Sequence, residues 1–576
     1  MFSLDKILDS KLPNLNNSFK GKMALKLIKA TAHEDEISNF IKSNPHLEGF
    51  AFLDAVFKHL SFSYQTCGNS LKNIPSQGRV IIVANHPIGT LDGFALLQMV
   101  RSVRKDVKIV ANDILHSIQP IQNLFIPVDN MSKGANHKSN FLKMMDTLEN
   151  EEAIIIFPAG EVSRARLTGI MDSQWKIGFV RLAKRTQSPV LPMQIKARNS
   201  LGFYAASALY KPFGSMLLMH EMFTKHNQSI KIKAGKLIPW DSIQKSGLTL
   251  SAAAAAIKAH TYKLFKYKND SIVCPFTTIE TIAIPACRQS IRDDLKQAEH
   301  IMKTPTGLDL YMVDYKADSA IIHELARVRE LTFRKVGEGT GSNWDLDKYD
   351  RFYRHLILWD DKKLELVGGY RLGECGNLIE KHGQDSLYMN HMYHINPEME
   401  KYLPSTLELG RCFVQPQYWG TRALDYLWMG MGNYIANHPE IKYLVGSISL
   451  SNAFSTRARE LIVSFYNTQL AFSEDVANAR CPVIVSDEIK QLALKEFTGD
   501  YKTCFKRLNE LLNEQGEALP MLFKQYVELC EDKGTQFIDF SLAPDFNNCI
   551  GSLIIIEIDK VKMSKRRYLK KFLKCA

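Results

Sequence analysis

Residues 81–93 read IIVANHPIGTLDG, and this stretch decides the fold of the first half of the chain. A run of β-formers gives out at Asn85-His86-Pro87, and Asp92 follows His86 with five residues between them. Pro87 has no N–H to give a sheet ladder, so it ends the strand. Gly89 and Gly93 permit a tight turn around the polar pair. The segment after the turn, FALLQMVRSVRK, reads as a helix. In open α/β sheets ligands bind beyond the carboxyl ends of strands. An imidazole there can take a proton from a hydroxyl, and a nearby carboxylate can fix its tautomer and stabilise its charge. A turn in which His86 merely caps backbone groups fits the same residues.

Working outward, residues 1–60 read as a helical segment, with Leu53, Val56, Phe57 and Leu60 on one apolar stripe. AIIIF (153–157) and PVLPMQIKA (189–197) are further buried strands, SIKIKAGKLI (229–238) alternates as a half-exposed strand, and residues 251–268 form a helix. Strands alternating with helices over 61–270 predict one α/β domain. Residues 271–300 change character and read as a linker. Strand signals resume at 355–359, 365–373, 406–414, 443–449 and 552–558, with helices at 319–334 and 421–437, so 301–560 predicts a second α/β domain. A basic tail occupies 561–576.

At 576 residues the chain is too long for one ordinary core. Ten cysteines are scattered without a CxxC pair, which fits a reduced compartment and neither a disulfide framework nor a zinc site. The first residues lack the apolar core of a signal peptide, and no long uninterrupted apolar run predicts a spanning helix. These features predict a cytoplasmic protein. The net charge is +12, and eight Lys or Arg crowd between Lys560 and Lys574, interleaved with Met563, Tyr568, Leu569, Phe572 and Leu573. Such a mixture suits an anionic membrane surface, on the inner face of the cytoplasmic membrane, and fits a solvated tail as well. No recognised motif for nucleic acid accompanies the charge.

A second segment, Phe157-Pro158-Ala159-Gly160-Glu161-Val162-Ser163-Arg164, again crowds Pro, Gly, an acid and an Arg at a strand end. Asp172, Trp175, Lys176 and Gly178 follow, then Leu191-Pro192. The ordered series NHP…D, FP-x-G…R and V-L-P resembles the glycerolipid acyltransferases of the PlsC type over residues 60–270. The resemblance implies a glycerolipid-acyltransferase-like fold in which His86 is the general base and Asp92 orients it. It implies also that Asn85, Gly160, Glu161 and Arg164 belong to the acceptor site. The usual spacing is one residue shorter, and Ala159 stands where the family's acid is usual. Both variants resemble the branch containing ornithine lipid O-acyltransferases. Arg164 suits a carboxylate acceptor through its planar fork, or a structural role.

In the second half, TLELGRCFVQPQYWGTRALDYLWMG (406–430) places Glu408 and Arg411 on a strand ahead of a turn and a helix. Backbone N–H groups at a helix start bind anions. Gln417-Tyr418-Trp419-Gly420-Thr421-Arg422 is similar to the GNAT cradle for a cofactor pyrophosphate, with Arg422 at the usual small position. Upstream stand Arg329, Phe333, Asp345, Asp347 and Asp350. That order resembles acyl-homoserine lactone synthases and the related ornithine N-acyltransferases over about 300–560, and implies a GNAT-like domain fed by acyl carrier protein or coenzyme A thioesters. In this reading Glu408 is catalytic, Asp347 and Asp350 hold a cationic amino acid, and Arg329 and Arg411 bind substrate. A structural Glu–Arg pair is the alternative; at i and i+3 the two point to opposite faces of an ideal strand. His391-x-x-His394 lacks a third ligand at metal spacing, and no metal or bound cofactor is expected.

Together the resemblances imply a bifunctional ornithine lipid synthase. The second domain would N-acylate ornithine with a 3-hydroxyacyl group, and the first would O-acylate the resulting lyso-lipid. The partners implied are acyl carrier protein, an amino acid, a lyso-lipid and an anionic membrane. Two alternatives stand beside it: a lysophospholipid acyltransferase fused to a coenzyme A-dependent acetyltransferase, and a non-catalytic membrane-associated protein.

Overall fold

The computed structural model describes residues 33–111, 118–127, 135–166, 169–209, 217–218, 220–266, 274–531 and 533–562. Residues 1–32 of the predicted helical segment, and the tail from 563 on, lie outside them. The chain divides into two compact units, Met1–Thr281 and Ile282–Ala576.

The strands of the first unit are β1 (Ser63–Thr66), β2 (Val80–Ala84), β3 (Val107–Ala111), β4 (Phe125–Pro127), β5 (Ala153–Ile156), β6 (Arg164–Arg166), β7 (Gly169–Met171), β8 (Val190–Lys196) and β9 (Ser229–Ala234). Seven make one sheet in the order β1-β9-β8-β2-β5-β3-β4, parallel except for β8 against β9. β6 and β7 form a separate ribbon. β2 is central and buried on both faces, which is why it reads as an unbroken apolar run. Its side chains divide by the strand period of two. Val80, Ile82 and Ala84 join a core with helices Gly49–His59 and Thr90–Arg101, and Ile81 and Val83 join another with helices Gly178–Thr186 and Leu250–Thr261. Leu53 and Leu60, from the N-terminal stripe, are buried in the first of these cores.

The second unit contains β10 (Glu299–Lys303), β11 (Asp309–Asp314), β12 (Arg354–Asp360), β13 (Glu365–Glu374), β14 (Tyr393–Ile395), β15 (Thr406–Val414), β16 (Tyr443–Leu450), β17 (Ala477–Ala479), β18 (Thr535–Ala543) and β19 (Cys549–Glu557). Its main sheet runs β10-β11-β12-β13-β15-β16-β19-β18, antiparallel except for β15 against β16. That parallel pair is in register only from Thr406–Leu409 against Tyr443–Gly446. Beyond it a small cleft opens, lined by Leu409–Cys412 of β15 and Leu444–Ile448 of β16.

The stretch read as a linker, 271–300, is shared out between the units. Ile279 bridges to Leu237, and the Thr281 hydroxyl donates to the Lys72 carbonyl, both within the first unit. Arg288–Leu295 is a helix and β10 a strand of the second. The mixed polarity that looked like a linker belongs to surface elements with one buried edge, such as Ile291 and Leu295. No helix among the described residues is long and apolar enough to cross a membrane.

Candidate active sites

β2 ends at Ala84, and the chain turns through Gly89, whose φ is +96°, into the helix that starts at Thr90. This turn sets His86 against Asp92. His86 Nδ1 lies 3.1 Å from Asp92 Oδ2, and the same oxygen accepts from the backbone N–H of Ile88 at 2.8 Å and Gly89 at 3.0 Å. Asp92 is fully buried; burial pushes its carboxyl up, against the pull of His86 and the two amides. Engaging Nδ1 leaves Nε2 as the ring's proton acceptor. The ring stacks on Phe157, at the end of β5, with centroids 3.9 Å apart, and stays 19% exposed. The dyad is therefore held rigid from one side and open on the other.

The FPAGEVSR loop is tied to the same turn. The Ser163 N–H donates to the His86 carbonyl at 2.7 Å, and the Ser163 hydroxyl donates to Asp172. Asp172 also accepts from the His86 N–H at 3.2 Å and from Trp175 Nε1 at 2.8 Å. Asp172 thus fixes the loop to the dyad, a role its place in the sequence did not suggest. Gly160 sits at φ +68°, and a Cβ there would meet Lys176 Nζ at 2.9 Å. Arg164 opens β6, with its guanidinium on the Ser207 hydroxyl and 3.4 Å from Glu161. Asn85 was expected at the acceptor site. Instead its amide donates to the Ile195 carbonyl at 2.9 Å and accepts from the Ile195 N–H at 2.7 Å. Both ends of that amide are used in pinning β2 to β8.

In the second unit a bulge decides the geometry. The pairing of β13 with β15 slips between Gly369 and Arg371, and Arg411 sits at φ +51°. A bulge re-aims the side chain it carries. The guanidinium of Arg411 lies 4.8 Å from the Tyr388 ring, while the Tyr388 N–H donates to Glu408 at 3.2 Å. Two residues that an ideal strand sends to opposite faces therefore meet one tyrosine.

Around Arg411 three acids meet three arginines. Asp345 lies 2.9 Å from Arg411 Nε and 3.2 Å from Arg329 Nε. Asp347 takes Arg371 at 2.7 Å and Arg411 at 2.8 Å, and Asp350 takes Arg329 at 2.8 Å and Arg371 at 3.3 Å. Burial alone would raise Asp350, but Arg329 and Arg371 hold it well below the usual carboxylate range; Arg371 and Arg411 do the same for Asp347. Arg371, which the sequence reading passed over, is completely buried. Its Nε and Nη2 have no hydrogen-bond partner among the described residues, and its guanidinium lies 5.1 Å from the Tyr353 ring and 4.8 Å from Tyr388. Aromatic faces replace the missing acceptors. Its signal was a charge in the middle of LVGGYRLG (366–373), otherwise without one.

Glu408 is equally enclosed. Oε1 accepts from Met389 N–H at 2.7 Å, and Oε2 from Tyr388 N–H and the Tyr353 hydroxyl. Burial pushes its carboxyl up. The bonds fasten segment 388–389 to β15. His391 pairs with Asp545 at 3.0 Å at the surface, and no cluster among the described residues has the makings of a metal site. The Gln417–Arg422 turn leads into helix Ala423–Ala436, with Gly420 at φ +74° and the Arg422 side chain exposed beside Asp425. Backbone N–H groups at a helix start can bind an anion, although here the Ala423 N–H is already turned to the Thr421 hydroxyl at 3.3 Å.

Comparison with known proteins agrees with this division. The acyltransferase family matches residues 6–271, and the acetyltransferase (GNAT) domain family matches residues 328–429. The lyso-glycine lipid O-acyltransferase of Bacteroides thetaiotaomicron is 30% identical over 272 residues, 46% of this chain and 97% of that protein. The glycine N(alpha)-acyltransferase of the same organism is 28% identical over 310 residues, 51% of this chain and 91% of its own length. The L-ornithine N(alpha)-acyltransferase of Rhodobacter capsulatus is 29% identical over 150 residues, 24% of this chain and 56% of that protein. The chain belongs to the acyltransferases, an enzyme that joins an acyltransferase domain to a GNAT-type domain in one polypeptide.

Proposed function

We propose that the chain makes a diacylated amino-acid lipid in two transfers. The second unit moves a 3-hydroxyacyl group from a thioester to an amino acid's α-amine. The first unit then acylates the new hydroxyl, with His86 Nε2 taking its proton and Asp92 holding the ring. The observation that carries this reading is the open His86–Asp92 dyad at the tip of β2, in the same chain as the cleft between β15 and β16.

The amino acid we favour is glycine in place of ornithine. Ornithine brings a second ammonium, which needs an unpaired carboxylate. Asp345, Asp347 and Asp350 are each met by arginine, three acids against three bases, so the cluster has no negative charge to spare. The extent of the relatives points the same way: the glycine enzyme matches along 91% of its length, the ornithine enzyme along 56%.

The acyl donor is a carrier-protein or coenzyme A thioester. An acidic carrier would meet this basic chain faster than a neutral one. A lyso-lipid with one chain has only marginal membrane residence, so holding both transfers in one polypeptide raises the effective concentration at the second site. The enzyme would act at the inner face of the cytoplasmic membrane.

The test is mass spectrometry of products from the purified chain given a 3-hydroxyacyl thioester, equimolar glycine and ornithine, and then a second acyl thioester. Monoacyl and then diacyl glycine are expected. A predominant ornithine product would overturn the choice of amino acid, and acylated phospholipid alone would overturn the whole reading.

A further inference from the structure

The GNAT-type site needs a base for an ammonium, and Glu408 is poorly placed to be it. A base must have a lone pair free for the incoming proton. Both oxygens of Glu408 are engaged by Met389, Tyr388 and Tyr353. The three aspartates are taken by arginines. His355 is buried inside the sheet with Nε2 on the Asp350 carbonyl.

Glu338 is a further buried carboxylate in this unit. It lies in the loop after helix Ala320–Lys335, 8% exposed, and accepts a single hydrogen bond, from the Ser449 hydroxyl to Oε2 at 2.7 Å. Oε1 has no partner among the described residues. Ser449 lies on β16 two positions beyond Ser447, which lines the cleft, so the two share a strand face. The loop is fastened on both sides of this position: the Val336 carbonyl accepts from the Ser451 hydroxyl at 2.8 Å, and the Gly337 carbonyl from Asn547 Nδ2 at 3.0 Å. Cys549, at the start of β19, feels the charges of Glu338, of Arg411 on β15 and of Arg459 on helix Thr456–Gln469. Arg411 itself lines the cleft. Ser449, which holds Glu338, thus lies past the last residue of β16 that pairs with β15, on the side where the cleft opens.

We infer that Glu338 is the general base of amine acylation, resting on the two-transfer reading above. Oε1 takes one proton from the bound ammonium. The freed lone pair forms the C–N bond to the thioester carbonyl. On collapse the C–S bond breaks, the sulfur leaves with its electron pair and takes the second proton from nitrogen, and Glu338 returns its proton to water. Burial raises the Glu338 carboxyl above its ordinary value, with Ser449 opposing, which strengthens it as a base near neutrality.

The experiment is the pH profile of kcat/KM for the amino acid, with the full chain, for wild type, Glu338→Gln, Glu338→Asp, Ser449→Ala and His391→Gln. Glu338→Gln should lose roughly 10²–10⁴-fold and the acid limb of the profile. Glu338→Asp should fall between it and wild type. Ser449→Ala removes the bond that lowers the Glu338 carboxyl, so its acid limb should move to higher pH. This arm holds even if Glu338→Gln fails to fold. An unmoved limb in Ser449→Ala, or a folded Glu338→Gln within threefold of wild type, overturns the inference. So does a limb abolished by His391→Gln alone. A wild-type chain that forms no N-acyl amino acid defeats the two-transfer reading instead.

Discussion

Asp92 Oδ2 lies 3.1 Å from His86 Nδ1 and accepts two backbone amides besides, so one buried oxygen sets both the turn and the tautomer of the ring. The other oxygen, Oδ1, has no hydrogen-bond partner among the described residues. The aspartate is placed to hold the imidazole, which leaves Nε2 free for the proton transfer proposed above.

His86→Ala should stop O-acyl transfer and leave the N-acyl product to accumulate, with little change in melting temperature, since the ring is partly exposed. Asp92→Asn keeps the shape but offers Nδ1 the wrong group. It should lower kcat by as much as roughly 10⁴-fold, as expected when a base is held in the wrong tautomer. Thin-layer or mass analysis of the two lipids separates the outcomes. Loss of both lipids in His86→Ala would contradict the assignment of the two units.

Arg371→Ala should be among the most destabilising single changes in the second unit. It leaves Asp347 and Asp350, together with Asp345, sharing only Arg329 and Arg411, so one buried negative charge is uncompensated, a loss of about 3–5 kcal/mol for a broken buried pair. Thermal unfolding should show the fall. The double change with Asp350→Asn should recover part of it, because one negative charge is then removed; strictly additive losses would mean that the pair is not coupled.

Acid should weaken the second unit before it titrates the aspartates. Burial lowers the His355 imidazole to about 4, with Nδ1 sealed away from any partner. The unfolded chain takes up that proton near pH 6.5, the native state only near 4, so stability is intact above 6.5 and falls as pH drops between the two. The loss is on the order of 3 kcal/mol at one pKa unit per 1.36 kcal/mol. Denaturant melts at stepped pH should show this slope, and His355→Gln should flatten it. Asp347 and Asp350, held low by their arginines, extend the decline below about pH 4.

The first site was legible because its chemistry is local. His86 and Asp92 are six positions apart across a glycine turn, and buried parallel strands announce themselves as apolar runs. The second site closes over long separations: Arg329 to Asp350 spans 21 positions, and Arg371 to Asp347 spans 24. Spacing on one element says nothing about such pairs. The i, i+3 argument for Glu408 and Arg411 failed for a definite reason, since a bulge with positive φ at Arg411 changes which face it serves. Asn85 was misplaced because an amide next to a histidine at a strand end looks the same whether it faces substrate or the neighbouring strand. Strands β3 and β4 were missed because Lys108 interrupts the apolar run of the first and the second is only three residues long.

Arg164 gives the sharpest test of what the first site acylates. Its guanidinium is steadied by Ser207 and Glu161 at the edge of the loop that Ser163 and Asp172 fasten to the dyad. If the acceptor is an N-acyl amino acid, its carboxylate is the natural partner for the rest of the fork. A hydrogen bond to a charged group contributes about 1.5–3 kcal/mol. Arg164→Ala should therefore raise KM for the lyso-lipid roughly 10- to 100-fold while kcat changes little, at 1.4 kcal/mol per tenfold. Wild type should prefer the free acid over its methyl ester by a similar factor, and Arg164→Ala should treat the two alike. Initial rates with both acceptors measure this. If the variant slows acid and ester equally, Arg164 supports the loop and leaves recognition of the acceptor to other groups.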